Sequence, residues 1–120
     1  MRPEEKIEYE ACDLIWRYLG IKGSKLKVLG DTSWPDRIFW LPGGKPLLIE
    51  FKQPGYEPQP KQSDTHAYLQ DLGYEIQVHT SVHGAFQAVI DAVAPQYVSK
   101  ASRQILARAR RCCAVLRSRS

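Results

Sequence analysis

The sequence lacks the features that mark several common classes of protein. Only three of its 120 residues are cysteine, two of them adjacent, and it contains no C-x-x-C pair. Adjacent cysteines do not readily bridge to each other, and structural zinc sites usually need paired cysteines, so we expect reduced thiols and no structural metal. No apolar run approaches the ~20 residues of a membrane span. The first residues also lack the apolar core of a signal peptide.

Motifs for nucleotide binding and for nucleophilic catalysis are missing as well. The paired glycines Gly43 and Gly44 follow Pro42 between two strand-like segments, a position typical of a hairpin turn rather than a phosphate loop. No G-x-S-x-G sequence is present. We therefore expect no nucleotide cofactor and no membrane partner, and we expect a cytoplasmic protein.

The positive charges are concentrated at one end of the chain. Residues 100–120 contain seven Lys or Arg residues and no acid, which leaves ten basic residues against 13 acidic ones in the rest of the chain. The body is therefore mildly acidic, although the whole chain has a net charge of +4. A basic segment attracts a polyanion such as nucleic acid, and a solvated, frayed terminus is the alternative interpretation.

Hydrophobic periodicity predicts an α/β fold with a central mixed β-sheet flanked by helices. The predicted elements are, in chain order, a helix over 3–19, strands over 25–29, 37–41 and 46–52, a helix over 61–72, a strand over 75–79 and a helix from Ser81 to near Pro95. The order is thus α-β-β-β-α-β-α. We assign residues 1–96 to this domain and residues 97–120 to a basic, helical extension or tail.

The third predicted strand carries charged residues where a core is expected. Glu50 and Lys52 interrupt an otherwise apolar segment, and side chains two apart in a strand point to the same face. Burying a carboxylate and an ammonium is costly unless they pair with each other or meet a metal ion. A purely structural ion pair remains the alternative, since an E-x-K sequence alone is weak evidence.

Asp36 strengthens the case for a site because it opens the partner strand of the same predicted hairpin. Directly opposite residues of antiparallel strands share a face. A four-residue loop would place Asp36 opposite Phe51, on the wrong face of the sheet. We therefore predict a connection with an odd number of residues, or a bulge, that brings Asp36 to the Glu50–Lys52 face.

Two helical residues are candidates to join this group. Glu8 lies on the margin of the apolar face of the first helix, although an acid there is also favoured by the helix dipole. Gln62 lies seven residues before Leu69 and projects from nearly the same side of the second helix, unless it merely serves the cap region. His66 shares that side, and we interpret it as an ordinary packed or solvated histidine.

Together these residues resemble the VRR-NUC branch of the PD-(D/E)XK nuclease superfamily. The resemblance covers about residues 7–93 and is to the small stand-alone proteins of phages and bacteria. The segments that carry it are Pro35-Asp36-Arg37, Leu41-Pro42-Gly43-Gly44-Lys45, Glu50-Phe51-Lys52-Gln53-Pro54-Gly55, Lys61-Gln62 and Leu72-Gly73-Tyr74.

The resemblance implies a restriction-endonuclease-like core and Mg²⁺- or Mn²⁺-dependent hydrolysis of DNA phosphodiesters. By analogy with the family, Asp36, Glu50 and the backbone carbonyl of Phe51 are metal ligands. Lys52 is the catalytic lysine, and Gln62 corresponds to the glutamine of a family motif. Hard oxygen ligands suit Mg²⁺, which agrees with these residue types.

Other positions match the family less fully. Glu8 corresponds to the glutamate of the family's first helix and would be a further metal ligand. Lys25 corresponds to a lysine that precedes the hairpin, with Lys27 close by. Trp34 departs from the pattern because it stands where a small residue usually precedes Pro-Asp, so it could crowd the loop or stack on a base. The extension from residue 97 lies outside the family pattern.

We therefore expect a DNA endonuclease that selects branched, flapped or Holliday-junction-like DNA, in a bacterial or phage-infected host cell. A junction has two-fold symmetry that a homodimer matches, so we expect a homodimer. A non-catalytic DNA-binding accessory protein on a nuclease-like fold is the alternative. Because the body is acidic, DNA affinity would come from basic residues around the cleft and in the extension. These are Lys25, Lys27, Arg37, Lys61, Arg103, Arg108, Arg110 and Arg111.

Overall fold

A computed structural model describes residues 1–93 and 103–111 and has the predicted order of elements. In chain order these are α1 (Pro3–Leu19), β1 (Gly23–Lys25), β2 (Arg37–Phe39), β3 (Leu47–Phe51), α2 (Pro60–Asp71), β4 (Glu75–His79) and α3 (Val82–Val93). A further helical segment, α4, spans residues 103–111. Among these helices none is long and apolar enough to span a membrane.

The four strands form one mixed sheet in the order β1-β2-β3-β4. β2 pairs antiparallel with both β1 and β3, whereas β3 and β4 are parallel and joined through α2. Every residue of β3 is buried, because helices cover this strand on both faces. The prediction of a central mixed sheet flanked by helices is confirmed.

The register of the β2–β3 hairpin brings the predicted site residues to one face. Phe39 pairs with Leu47 and Arg37 pairs with Ile49, so an odd number of residues, 40–46, separates the innermost pair. Continuing this register by one residue places Asp36 opposite Glu50. The predicted odd-numbered connection is confirmed, and the four-residue loop that would set Asp36 opposite Phe51 is excluded.

The first strand is shorter and earlier than the alternation predicts. The structure places β1 at Gly23–Lys25, so the prediction of a strand over 25–29 is wrong in its bounds. The bounds follow the pairing with β2, in which Gly23 lies opposite Phe39 and Lys25 lies opposite Arg37. Glycine fits at position 23 because a Cβ there would lie 2.5 Å from Cε1 of Phe39. The later residues form a loop in which Leu26 contacts the core and Leu29 is 91% exposed. β2 also ends early, at Phe39 rather than residue 41.

Most of the apolar core lies between the sheet and the layer formed by α1 and α3. Its largest fully buried side chains include Phe39, Phe51, Phe86 and Ile15. Full burial of one such side chain stabilises the fold by about 1.5–3 kcal/mol. A smaller cluster of Leu48, Leu69 and Ile76 packs α2 on the opposite face of the sheet. The Glu50–Lys52 face is therefore the α2 face.

Helix ends follow the predicted signals. α1 ends at Gly20, which adopts the left-handed conformation with φ 69°. α3 begins after Ser81, whose Oγ accepts a hydrogen bond from the Gly84 amide at 3.0 Å. These local signals are the reason that the bounds of α1 and the start of α3 agree with the sequence.

The basic extension is a packed helix over residues 103–111. Ile105 and Ala109, one turn apart, are buried in the main core. Arg103, Arg110 and Arg111 are exposed. The boundary at residue 96/97 and the rest of the extension predicted over 97–120 lie outside the described residues.

Candidate active site

Two carboxylates from neighbouring strands meet at the centre of the candidate site. The Asp36 amide donates to the Ile49 carbonyl at 3.1 Å, and Asp36 Oδ2 accepts from the Phe51 amide at 2.7 Å. Both bonds tie Asp36 to the β3 backbone. Asp36 lies opposite Glu50, each carboxyl group shifts the pKa of the other, and Glu50 is only 4% exposed. The structure thus brings these two residues together as predicted.

The environment opposes ionisation of both carboxyl groups. Burial, together with the neighbouring Asp36 charge, raises the pKa of Glu50 to about 8. Burial is also the main cause that raises the pKa of Asp36, and the hydrogen bond from the Phe51 amide acts against it. Near neutral pH the pair therefore retains a proton unless a positive charge compensates it.

Lys52 supplies a positive charge on the same face of β3. Its Nζ lies 3.8 Å from Glu50 Oε2, which confirms that the two side chains project together. The Lys52 amide donates to the His79 carbonyl at 3.0 Å, so the end of β3 is held by β4. The lysine is thereby fixed beside the carboxylate pair.

Histidine 66 is a site residue that sequence reasoning underrated. Its Nε2 lies 3.9 Å from Glu50 Oε1, and both atoms are buried without a hydrogen-bond partner. Burial and the Lys52 charge lower the pKa of His66, so the ring is neutral at neutral pH. The available signal was the helical spacing of His66 to Gln62 and Leu69. Gln62 itself is partly buried in the first turn of α2, and no hydrogen bond joins it to the carboxylates.

Glu8 approaches the site from α1 and is held by two cations. It is 4% exposed, and its Oε2 accepts from Arg37 Nε at 2.6 Å and from Lys25 Nζ at 3.1 Å. Arg37 also donates to the Gly23 carbonyl at 2.8 Å. Arg37 is therefore engaged within the protein, whereas the side chain of Lys25 is 51% exposed.

The loop before Asp36 forms the other wall of a cleft. Asp31 accepts from the amide and hydroxyl of Ser33 at 2.9 and 2.5 Å, and the Ser33 hydroxyl bonds Thr65 of α2 at 2.6 Å. The Ser33 hydroxyl is the main cause that lowers the pKa of Asp31 to about 2. The cleft has a volume of about 420 Å³. Its lining includes Arg2, Glu8, Lys25, Lys27, Trp34 and Asp36.

A larger cleft of about 890 Å³ lies elsewhere, beside the edge strand β4. It is lined by residues of β4 and α3, among them Gln77 and Gln87, and it contains neither Asp36 nor Glu50. Of these two clefts, the smaller one includes Asp36 in its lining, whereas Glu50 and Lys52 line neither.

The carboxylate pair offers the oxygen ligands that a hard divalent cation takes. Within residues 1–93 and 103–111, no group of three or more His, Cys, Asp or Glu is arranged to hold a metal ion by itself. Mg²⁺ is usually bound by one or two carboxylates together with water and substrate phosphate, rather than by an all-protein cage. The unpartnered Glu50 Oε1 and the desolvated Asp36–Glu50 pair meet that requirement.

Comparison with known proteins agrees with this geometry. A solved structure described as "VRR_NUC domain" has a TM-score of 0.60 and 26% sequence identity to this chain, and the match covers 81% of this chain and 99% of that one. A protein named "Putative nuclease p44", of Acyrthosiphon pisum secondary endosymbiont phage 1, is 46% identical over 73 residues, which is 61% of this chain and 77% of that protein. No model of a protein family matches the chain.

The fold and the site together define a restriction-endonuclease-like domain of the nuclease type. The chain belongs to the VRR-NUC family.

Proposed function

We propose that the protein is a Mg²⁺- or Mn²⁺-dependent endonuclease that hydrolyses phosphodiester bonds in branched, flapped or junction DNA. The observation that carries this proposal is the Asp36–Glu50 pair, in which Glu50 is buried with its Oε1 unpartnered and its Oε2 3.8 Å from Lys52 Nζ. A buried pair of this kind is costly to maintain unless a cation compensates it. Membership in a nuclease family supports the same chemistry.

Each residue of the candidate site would have a separate role in this reaction. Asp36, Glu50 and the carbonyl of Phe51 would hold the cation, which when bound polarises a phosphoryl oxygen and lowers the pKa of a bound water. Lys52, beside Glu50, would orient the attacking water or neutralise the charge that develops on the phosphate. Glu8 would join as a further ligand through Oε1, since its Oε2 already accepts from two cations.

DNA binding would rely on exposed basic residues around the cleft and on α4. Lys25 and Lys27 are exposed on its rim, and Lys61 lies nearby with its Nζ 3.5 Å from Asp31 Oδ1. Arg37 would act mainly through Glu8, because its side chain is only 12% exposed. Such phosphate contacts are sequence-independent, which suits selection by DNA structure rather than by base sequence.

The catalytic test is a cleavage panel with labelled Holliday junction, flap, nicked, single-stranded and duplex DNA, in Mg²⁺, in Mn²⁺ and in EDTA. We expect cleavage in either metal, strongest on a branched substrate, and none in EDTA. The D36N, E50Q and K52A variants should each cut at least about 100-fold more slowly, with DNA affinity within about threefold of wild type.

The matched control is D13N, which removes an exposed carboxylate of α1 that pairs with Arg17. It should cut at the wild-type rate. DNA binding by the wild type without cleavage in any divalent metal would contradict the proposal and favour a non-catalytic DNA-binding accessory protein.

A further inference from the structure

Trp34 is a large aromatic residue at the mouth of the candidate site. It lies two residues before Asp36, so their Cα atoms are at most ~7 Å apart. One side of the indole packs against the cluster of Leu48, Leu69 and Ile76, and the side chain also lines the cleft that contains Asp36. The residue is therefore packed into the loop rather than crowding it, while part of its surface faces the cleft.

A hydrogen-bond network fixes the orientation of this indole. Trp34 Nε1 donates to Asp31 Oδ2 at 3.2 Å, and Asp31 Oδ1 accepts from Ser33. Ser33 is bound in turn to Thr65 of α2. Because the loop and the helix hold the ring in place, little conformational entropy would be lost when a ligand contacts it.

The surroundings of Trp34 match one kind of ligand. Exposed cations line the same cleft, namely Arg2, Lys25 and Lys27. The cleft also holds four acidic residues, Glu5, Glu8, Asp31 and Asp36. An aromatic ring beside cations is the arrangement by which proteins hold unpaired nucleotides, with cations on the phosphates and a base stacked on the ring. Because carboxylates lie next to these cations, an anionic ligand fits best if it carries a cation of its own. A nucleic acid with a bound divalent cation therefore fits the cleft better than an acidic peptide does.

We propose that Trp34 stacks on an unpaired base next to the scissile phosphate, so that the substrate class is DNA with unpaired or unstacked nucleotides at the cleavage point. This inference rests on the proposed nuclease function. A base inside a duplex has neighbours on both faces, whereas an unpaired base offers a free face to an aromatic ring.

The activity test compares W34F, which can still stack, with W34L, which fills apolar space without stacking. The measured quantity is the ratio of kcat/KM on a flap with unpaired bases at the branch to kcat/KM on a nicked, fully paired duplex of the same sequence. We expect W34L to lower this ratio about tenfold or more and W34F to keep it within about threefold. W16L is the matched control, since Trp16 is 57% exposed on α1 outside the cleft.

A binding measurement keeps the inference testable if W34L folds poorly. DNA with 2-aminopurine at single positions around the branch is bound to the inactive K52A protein, and the fluorescence is read. We expect quenching at one or two unpaired positions in K52A and its loss in K52A/W34L. Absence of quenching at every position, or an unchanged kcat/KM ratio in folded W34L, would overturn the inference. Failure of the wild type to cut any DNA would instead overturn the nuclease proposal, while the quenching assay still reports on stacking.

Discussion

Glu50 is the residue at which the proposed function most clearly opposes the stability of the fold. It is a charged residue in a strand that is buried along its whole length, and its pKa is raised to about 8 by burial and by Asp36. Between pH 4.5 and 8 the unfolded chain has released this proton, whereas the folded chain retains it. The free energy of unfolding should therefore fall as the pH rises through this window.

The first prediction is that E50Q removes this loss of stability. The difference in Tm between E50Q and wild type, measured in EDTA, should increase by at least about 4 °C from pH 5 to pH 8. This increase corresponds to about 1 kcal/mol in the free energy of unfolding. The difference between the two proteins is the informative quantity, because the lowered pKa values of His66 and His79 act in the opposite direction. Calorimetry across this pH range measures it.

Glu10 provides the control for the pH experiment. It is exposed on α1, so E10Q should follow the wild-type pH dependence. At pH 8, saturating Mg²⁺ should raise the stability of the wild type again and leave the stability of E50Q unchanged. The reason is that a cation that binds the ionised pair stabilises only the folded chain. Parallel pH curves for wild type and E50Q would refute the assignment of the raised pKa.

The second prediction concerns His66, which covers the unpartnered oxygen of Glu50. H66A should cut DNA about tenfold more slowly, because loss of a residue packed against the proposed metal ligand Glu50 would weaken the site. It should also flatten the pH dependence of stability, since water reaching Glu50 would bring the pKa of that residue closer to its ordinary value. H83A, which removes an exposed histidine of α3, should leave both measurements at wild-type values.

At the scale of elements, α4 joins the basic extension to the core. Ile105 and Ala109 are buried, so deletion of the extension would disturb the fold as well as any DNA contact. Substitution of the exposed arginines separates the two effects. The contribution of α4 to the core is seen in the packing and could not be predicted from the charge pattern.

The third prediction is that replacing Arg103, Arg110 and Arg111 with alanine weakens DNA binding without unfolding the protein. If all three contact phosphates, the slope of log affinity against log salt should fall by about 2–3, at roughly 0.9 per contact. Fluorescence anisotropy at several salt concentrations measures the slope. R17A removes an arginine that pairs with Asp13 on α1 and should not change it. An unchanged slope in the triple variant would exclude α4 from the DNA interface.

At the scale of the whole molecule, the small size of the chain limits what one copy can recognise. A 13.7-kDa domain has little surface beyond its site for a branched substrate. Two copies related by a two-fold axis would place two sites on a junction of the same symmetry. The homodimer therefore stays a prediction that follows from substrate geometry.

The fourth prediction is a mass of twice 13.7 kDa in solution by light scattering during size-exclusion chromatography. Cleavage of a junction should then fall off with dilution more steeply than cleavage of a flap, because only the junction needs both sites. E50Q serves as the control for the mass, since its change lies in the site and should leave the assembly intact. A mass of one chain at all concentrations, together with paired cuts on junction DNA, would contradict the prediction.

Local patterns in the sequence determined the order of the elements and the residue types of the site. The bounds of α1, the start of α3 and the common face of Glu50 and Lys52 follow from helical and strand periodicity, which acts over a few residues. Tertiary structure alone decided the position of β1, the regular register rather than a bulge that pairs Asp36 with Glu50, and the approach of His66. These depend on contacts between distant parts of the chain, such as Gly23 against Phe39, and no local period specifies such contacts.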